Sequence, residues 1–408
     1  MDKIIDDFYG TEHAIRYYGW VVVGMGFLAN LVGYGLVFAY GVFLKPVASE
    51  FGWSRAVTSG AFSSYAIVHN IMAFLAGRLI DRFSPKLVLT VAGFSLGLSM
   101  ILMSFITSLW ELYLYYGLVF SIGIAATYTP VMATVSRWFR YKRGLAIGVT
   151  AAGLGAGSLV FSPLVAWLIS SFGWRVTYVI IGVISWVVFV PVVRFIRDAP
   201  REIGTSGSDS SNTLSFSKAF MTRTFWAFGV SWMFIAIAMW AIMIHIVPLA
   251  TDRGMPIVTA GIMAGLIGVG SITGRIGAGF ISDRVGRKKI IISAFSFQLI
   301  MTIWLLFSRQ AWMFFLFAIL FGLSSGGWTG VIAAFPADYF GLRATGTILG
   351  FSVIMAGIGI AIGPYLGGYF FDVTHSYEGM LVICIIATVA AILSASFITP
   401  VRKRDAPM

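Results

Sequence analysis

The chain has 408 residues, of which 59% are hydrophobic and 11% charged, with a mean hydropathy of +0.91. That balance excludes a soluble globular protein and fits a chain that crosses a bilayer repeatedly. In a soluble protein the formal net charge of +12 would point to nucleic acid; here the basic residues gather in particular loops, which points to membrane topology instead.

A helix needs about 20 apolar residues to cross the hydrocarbon core. Twelve stretches reach that length, predicted at 19–44, 55–77, 86–106, 108–133, 143–170, 174–196, 221–249, 257–280, 288–308, 310–336, 344–370 and 376–398. They are long and uninterrupted, whereas a β-barrel would show segments of about ten residues with alternating polarity. The expected class is therefore an all-α membrane protein. The residues before the first span, MDKIIDDFYGTEHAIRYYGW, are acidic and aromatic. A cleavable signal would have a basic start and a short apolar run, so the first span is expected to stay in the mature chain.

Lys and Arg favour the cytoplasmic side of short loops. One side of the predicted topology collects Arg82, Lys86, Arg137, Arg140, Lys142, Arg143, Arg194, Arg197, Arg201, Lys218, Arg223, Arg284, Arg287, Lys288, Lys289, Arg343 and the tail residues Arg402, Lys403 and Arg404. The other has Lys45, Arg55, Arg175, Arg253 and Arg309. Both termini and the middle loop are thus expected in the cytoplasm.

The one long polar interruption, 197–220, is rich in Ser, Gly and charge and reads as a cytoplasmic linker. It divides the chain into six spans within 1–196 and six within 221–408. The halves repeat each other: GRLIDRF at 77–83 matches GFISDRV at 279–285, and FGW at 51–53 matches RGM at 253–255, both at an offset of 202. SRWF at 136–139 matches ADYF at 337–340, and Ser162-Pro163 matches Gly363-Pro364, both at 201. Parallel repeats of this kind belong to one large class of secondary transporters. In the repeated loops, Gly77, Asp81 and Arg82, and again Gly279, Asp283 and Arg284, form a candidate conformational latch. The glycines allow close approach of helix ends, and the acids can accept from arginines or a neighbouring helix N-terminus. Small residues recur every fourth position within the spans as well, as at Gly153 and Gly157, or Gly359, Gly363 and Gly367. Such spacing serves static packing and moving contacts alike.

Arg275 lies in GLIGVGSITGRIGAGFISDRVGRKK, eight residues before Asp283 and so about 12 Å along the helix from the interface. An intramembrane charge faces a polar cavity or a partner. The predicted spans hold no Asp or Glu in their cores, so Arg275 reads as the ligand of an anion that comes and goes. The alternative is an arginine that joins helices and is satisfied by carbonyls.

The doubled GxxxDRxG-type loops and the two six-span halves resemble the major facilitator superfamily over essentially the whole chain. YYGWVVV at 17–23 and WFRYKRGLAIGVTAAGLGAG at 138–157 resemble the monocarboxylate porter family and its bacterial relatives, including the oxalate:formate antiporter. The resemblance implies that fold, with twelve transmembrane helices in two six-helix bundles, a bacterial inner membrane and a monomer. It further implies alternating-access transport of a small monocarboxylate such as lactate or pyruvate, with a co-transported proton. Anion exchange of the oxalate/formate type, or carriage of another amphiphilic acid, stands beside it. Arg275 matches the eighth-helix arginine that binds the substrate carboxylate in that family. The animal porters carry an acid four residues earlier, where Ser271 stands here, and a first-span lysine where Phe38 stands. The antiporter's second cation, in helix 11, has no counterpart in that span beyond Arg343 near its start. A single deep cation favours a monoanion and leaves the proton carrier unassigned.

Further candidates for substrate contact are Tyr128, at a depth like that of Arg275, Asn30 and Tyr34 on one face of the first span, Trp328 and Tyr365. Each also suits interhelical bonding or an interface aromatic. His245, His69 and Asp252 are candidates for proton coupling, histidine because it titrates near neutrality. There is no Walker-type GxxxxGK[ST] loop, and no metal-ligand spacing. Cys384 is the single cysteine, so it forms no intrachain disulfide. No enzyme activity, cofactor, metal or nucleic-acid partner is expected; the expected partners are the organic acid, a proton and the lipid bilayer.

Overall fold

The computed structural model describes residues 12–82, 84–139, 142–198, 219–332, 335–340 and 345–399. Every regular element among them is helical, as the bilayer requires of an unpaired segment whose backbone groups find no water. The helices are α1 (Glu12–Phe51), α2 (Arg55–Arg82), α3 (Pro85–Met103), α4 (Leu109–Trp138), α5 and α6 (143–172 and 174–195), α7 (Arg223–Asp252), α8 (Ile257–Val285), α9 (Arg287–Phe307), α10 (Ala311–Ile332), α11 (Thr345–Thr374) and α12 (Glu378–Ser396). A short helix, Phe335–Phe340, follows α10. Among the described residues ten stretches are long and apolar enough to span by composition, with 143–195 counted once; α2, with Ser59, Ser63, Ser64, His69 and Asn70, is the more polar twelfth helix described. Of the predicted linker 197–220, residues 199–218 lie outside the described residues, as do the side chains of Asp81, Arg82 and Asp283.

Two helices depart from the simple spans. Between α5 and α6 the chain turns at Gly173, whose φ of 77° is open to glycine at little cost. In α4 the residues Tyr113–Phe120 are π-helical and the helix breaks after Ala125, resuming at Tyr128. Pro130 accounts for the break, because its ring excludes the carbonyl four residues earlier and it offers no N–H. The predicted single span at 108–133 thus becomes a two-part helix with Tyr128 at the joint.

The start of α1 and the end of α12 lie on one face of the bundle, the terminal face; Phe51, Arg55, Asp252 and Thr374 mark the far face. Glycines set the closest helix contacts. A Cβ at Gly268 on α8 would fall on the Gly155 carbonyl of α5. Between α8 and α10 the contact is reciprocal: a Cβ at Gly270 or Gly274 would strike the Ile319 or Leu323 carbonyl, and one at Gly322 or Gly326 the Ile267 or Ser271 carbonyl. Two loops at the far face, α3–α4 and α9–α10, are each tied down by an arginine. Arg175 donates to the Ser104 and Ile106 carbonyls at 2.8 and 3.1 Å, and Arg253 to Leu305 and Ser308 at 3.0 and 2.7 Å.

The glycine contacts give a paired test. A Cβ at Gly277, one turn below Gly274, meets nothing within 4 Å. Gly274→Ala should therefore lower the thermal midpoint of the detergent-purified protein, from about 1–3 kcal/mol of overpacking, while Gly277→Ala leaves it unchanged. Equal midpoints for the two variants would show that α8 and α10 do not pack this closely.

Candidate functional site

Arg275 projects from α8 into the junction of α5, α8 and α10. Its Nη1 donates to the Ala151 carbonyl of α5 at 3.1 Å, and its Nε to the Thr329 hydroxyl of α10 at 3.4 Å. The Thr329 hydroxyl can accept because its own proton goes to the Ser325 carbonyl at 2.7 Å. A guanidinium carries five N–H donors, so Nη2 and the second Nη1 proton keep no partner among the described residues. Both existing partners are neutral, which leaves the positive charge uncancelled.

A cavity of about 20 Å³ abuts the guanidinium, room for about one water. Its polar lining is Ser158 from α5, Ser271 from α8, and Ser325 and Thr329 from α10. Its apolar wall is Phe38 from α1 with Met239 and Met243 from α7. Ser271 and Phe38, both singled out in the sequence, thus line the Arg275 cavity. Trp240 of α7 lies flat on Phe38, ring centroids 5.9 Å apart at 15°, and contacts Phe62 of α2 at 5.4 Å.

Tyr34 and Tyr128 belong to the same constellation. Their rings meet edge to face at 5.7 Å and 72°, Tyr34 reaches Phe38 at 6.3 Å, and both hydroxyls lie within electrostatic reach of Arg275. Neither hydroxyl has a hydrogen-bond partner among the described residues. The break in α4 is what presents Tyr128 at this level.

Other candidates lie elsewhere. Asn30 is buried and donates to the Thr150 carbonyl at 3.1 Å, joining α1 to α5. Trp328 is buried but turns away from the cavity: its indole donates to Gln298 of α9 at 3.2 Å and abuts Phe295. Tyr365 stands beside Gly60 of α2 with 46% of its surface exposed and is not among the residues that line the cavity. His69 stacks on Tyr65 at 5.5 Å with its Nδ1 unpartnered. Of the latch candidates, Gly279 has open space about it, and Arg284 is exposed, its guanidinium 4.8 Å from the Phe280 ring.

The described bonds that join the first six helices to the last six lie at the level of Arg275 or nearer the far face. There Asp252, at the end of α7, pairs with Lys45 of α1 at 2.7 Å and with both terminal nitrogens of Arg55. Arg55 also donates to the Tyr377 hydroxyl at 2.7 Å and lies 3.5 Å over the Phe371 ring. Asp372 of α11 accepts the backbone N–H of Arg55 and of Ala56, both at 2.8 Å. A carboxylate from α11 thus caps the N-terminus of α2, where negative charge is favoured. His245 continues the chain inward, with Nδ1 3.2 Å from the Tyr377 hydroxyl and Nε2 2.8 Å from the Pro364 carbonyl. The carbonyl only accepts, so Nε2 carries the proton. The Ser59 hydroxyl reaches the same carbonyl at 2.9 Å. Sequence reading singled out Asp252 and His245; it missed Asp372 and Tyr377, whose signal is only an acid and an aromatic flanking a predicted outer loop.

The sequence profile of the Major Facilitator Superfamily matches residues 26–309 and 233–407. The chain belongs to that superfamily. It is a multi-pass membrane protein and a secondary transporter, distantly related to monocarboxylate transporters. It is 25% identical to Monocarboxylate transporter 11 of Mus musculus over 395 residues, 93% of this chain and 86% of that protein. It is 33% identical to Monocarboxylate transporter 13 of Rattus norvegicus over 175 residues, and spans less than half of that relative, 41% of its length. The crystal structure of a bacterial homolog to the human lysosomal transporter Spinster, in an inward-facing and occupied conformation, shares the fold. Its TM-score is 0.74 at 16% identity, covering 95% of this chain and 97% of that one.

The polar cluster on the far face of this superfamily member joins the first six helices to the last six, and is expected to close access from that side. Cys384 is buried and is the only cysteine, so labelling starts from a low background. A cysteine at Met243, behind the cluster, should react slowly with a membrane-impermeant thiol reagent applied to the far face. Adding Arg55→Ala should speed that reaction about tenfold, the effect of roughly 1.4 kcal/mol on the closing equilibrium. An unchanged rate would mean that Arg55 does not hold the far face shut.

Proposed function

We propose that this protein carries small monocarboxylates of the lactate or pyruvate kind, together with a proton, by alternating access between the bundles 1–196 and 221–408. The observation that carries the reading is Arg275: a lone guanidinium, bonded only to neutral oxygens, beside a cavity lined by hydroxyls and two methionines. Guanidinium binds a carboxylate through a planar fork, in charge-assisted bonds about twice as strong as those to a neutral carbonyl. The carboxylate takes Nη1 and Nη2 and displaces the Ala151 carbonyl. Tyr128 and Tyr34 donate to the remaining oxygens, and the methyl end lies against Phe38, Met239 and Met243. One cation matches one carboxylate. The relatives named as monocarboxylate transporters support the same substrate class.

The charge also accounts for coupling. Occluding a bare guanidinium costs several kcal/mol of desolvation, which a paired carboxylate offsets. The empty carrier therefore resists closing and the loaded one does not. The proton is assigned to His245. Neutral His245 accepts from Tyr377, which accepts from the Arg55 side chain, which pairs with Asp252, while the backbone N–H of Arg55 donates to Asp372. Protonation at Nδ1 removes the acceptor of the Tyr377 proton and loosens the bonds that Lys45, Arg55, Asp252 and Asp372 make across the far face. Both termini are assigned to the cytoplasm by the basic loops.

A second reading, exchange of one organic anion for another, is favoured by one feature: among the described residues the cavity lining has no titratable side chain besides Arg275. Counterflow in proteoliposomes against labelled monocarboxylates separates the two. Under symport an inward acid gradient accelerates net uptake, a protonophore cancels the gain, and His245→Gln loses it while counterflow persists. Uptake that ignores the gradient and requires internal anion would establish exchange.

Arg275→Ala should abolish saturable uptake while the protein remains folded in the membrane, and Arg275→Lys should restore little, since lysine keeps the charge without the fork. Tyr128→Phe should raise the half-saturation concentration about tenfold, the loss of one hydrogen bond to a charged group. Normal transport by the alanine variant would make Arg275 a helix-joining residue and defeat the proposal. A tag at either terminus that is readable from outside intact cells would reverse the orientation.

A further inference from the structure

Outside the transport path, a groove of about 500 Å³ runs between α3 and α6 and opens to the membrane. Its floor is aromatic. A Cβ at Gly97 would strike the indole of Trp186, and one at Gly93 the ring of Phe189, so both rings lie on the backbone of α3. The Trp186 indole donates to the Phe94 carbonyl at 3.2 Å, and the Phe94 ring runs parallel to it at 6.2 Å and 11°. Phe94 and Val190 are 58% and 69% exposed, so the floor faces hydrocarbon.

At the terminal-face end of this groove stand Lys86 and Arg194, both exposed. Neither side chain makes a hydrogen bond or an ion pair among the described residues, and no carboxylate lines the groove. Each lies eight residues from the aromatic floor on its own helix, about 12 Å along the axis. That is close to the roughly 15 Å of hydrocarbon in one leaflet. The second half of the chain supplies a contrast. Lys288, 202 residues after Lys86, donates to the Ser396 carbonyl at the end of α12 at 2.7 Å. Positions 296 and 388, at the same offset from Phe94 and Trp186, are Ser296 and Thr388. A lysine free to meet a ligand and an aromatic floor coincide only in the first half among the described residues.

We propose that this groove is a binding site for one anionic glycerophospholipid of the terminal-face leaflet. The phosphate sits between Lys86 and Arg194, whose guanidinium suits phosphate oxygens. An acyl chain lies over Trp186, Phe94 and Val190. A soluble anion would use the two cations and leave the apolar groove unfilled. A zwitterionic lipid brings an ammonium that competes with Lys86. An anionic lipid matches both ends of the site, as juxtamembrane basic residues do on anionic leaflets.

Quenching of Trp186 by lipids brominated in the acyl chain tests this, the Trp186 component being the part lost in Trp186→Phe. In phosphatidylcholine nanodiscs, brominated phosphatidylglycerol as a minor component should occupy the groove about thirty-fold more readily than brominated phosphatidylcholine, the combined pull of two surface cations. Lys86→Gln with Arg194→Gln should bring that preference to near unity, and each change alone should lower it about fivefold. Both residues are exposed at helix ends, so the protein should fold in either case. Val190→Phe, which keeps the cations and fills the groove, should weaken quenching by both lipids. Equal quenching by the two lipids, or a preference that survives the double substitution, would reduce the groove to ordinary boundary-lipid contact and overturn the proposal.

Discussion

A guanidinium inside a membrane-spanning bundle must be solvated by the protein itself, and the packing around Arg275 is arranged to do so. Its two bonds reach α5 and α10, which are different neighbours of α8. Those bonds close because glycines bring the helices to backbone contact: Gly155 against Gly268 on one side, and Gly270 and Gly274 against Gly322 and Gly326 on the other. Larger residues would move Ala151 and Thr329 out of reach. The glycine pattern and the buried charge are therefore one device. It leaves the charge hydrogen-bonded but not neutralised.

The far face handles charge in the opposite way. Asp252 pairs with two cations, and Asp372 with the N-terminus of α2. These groups keep some contact with water, so the pairing costs less than it would at the level of Arg275. The two regions are linked mechanically through α7. Asp252 and His245 lie seven residues apart on it, two turns on one face. Met243 and Met239 follow and wall the cavity. A shift of α7 that breaks the Asp252 pairs also moves that wall.

Much of this was legible in the sequence, and the parts that were not share a cause. Arg275 stood out because a charge within an apolar run has few explanations. Tyr128 could be placed by counting residues from the interface, since depth along a helix is a simple product of rise and number, and Tyr34 by sharing a face with Asn30. Rotation about the axis could not. Trp328 and Tyr365 sit on helices whose other polar side chains are mostly small hydroxyls, a weak guide to rotation; one turns to Gln298 and the other is 46% exposed. The break in α4 had its cause in view at Pro130, but its consequence depended on Tyr128 having somewhere to point. Asp372 read as a loop residue and Tyr377 as the edge of the last span because their partner, Arg55, lies 317 and 322 residues away in the chain.

The partner of Arg275 in this conformation bears on how binding and movement are joined. The Ala151 carbonyl belongs to the first six helices and Arg275 to the last six, so the bond between them is one of the ties across the structure. On the proposed reading, a carboxylate that takes the same N–H exchanges a neutral acceptor for a charged one and cuts that tie in a single event. The ligand therefore does more than fill space. It removes the charge that opposes occlusion, and it releases α5 from α8 at the level where their glycine backbones allow sliding. A neutral ligand of the same size could fill the opened cavity but would leave the cation bare. A dianion would cancel it and leave a second negative charge with hydroxyls alone. On the proposed reading, the balance between Arg275 and the hydroxyls around it selects a single carboxylate, and selects it by what the loaded cavity costs to close.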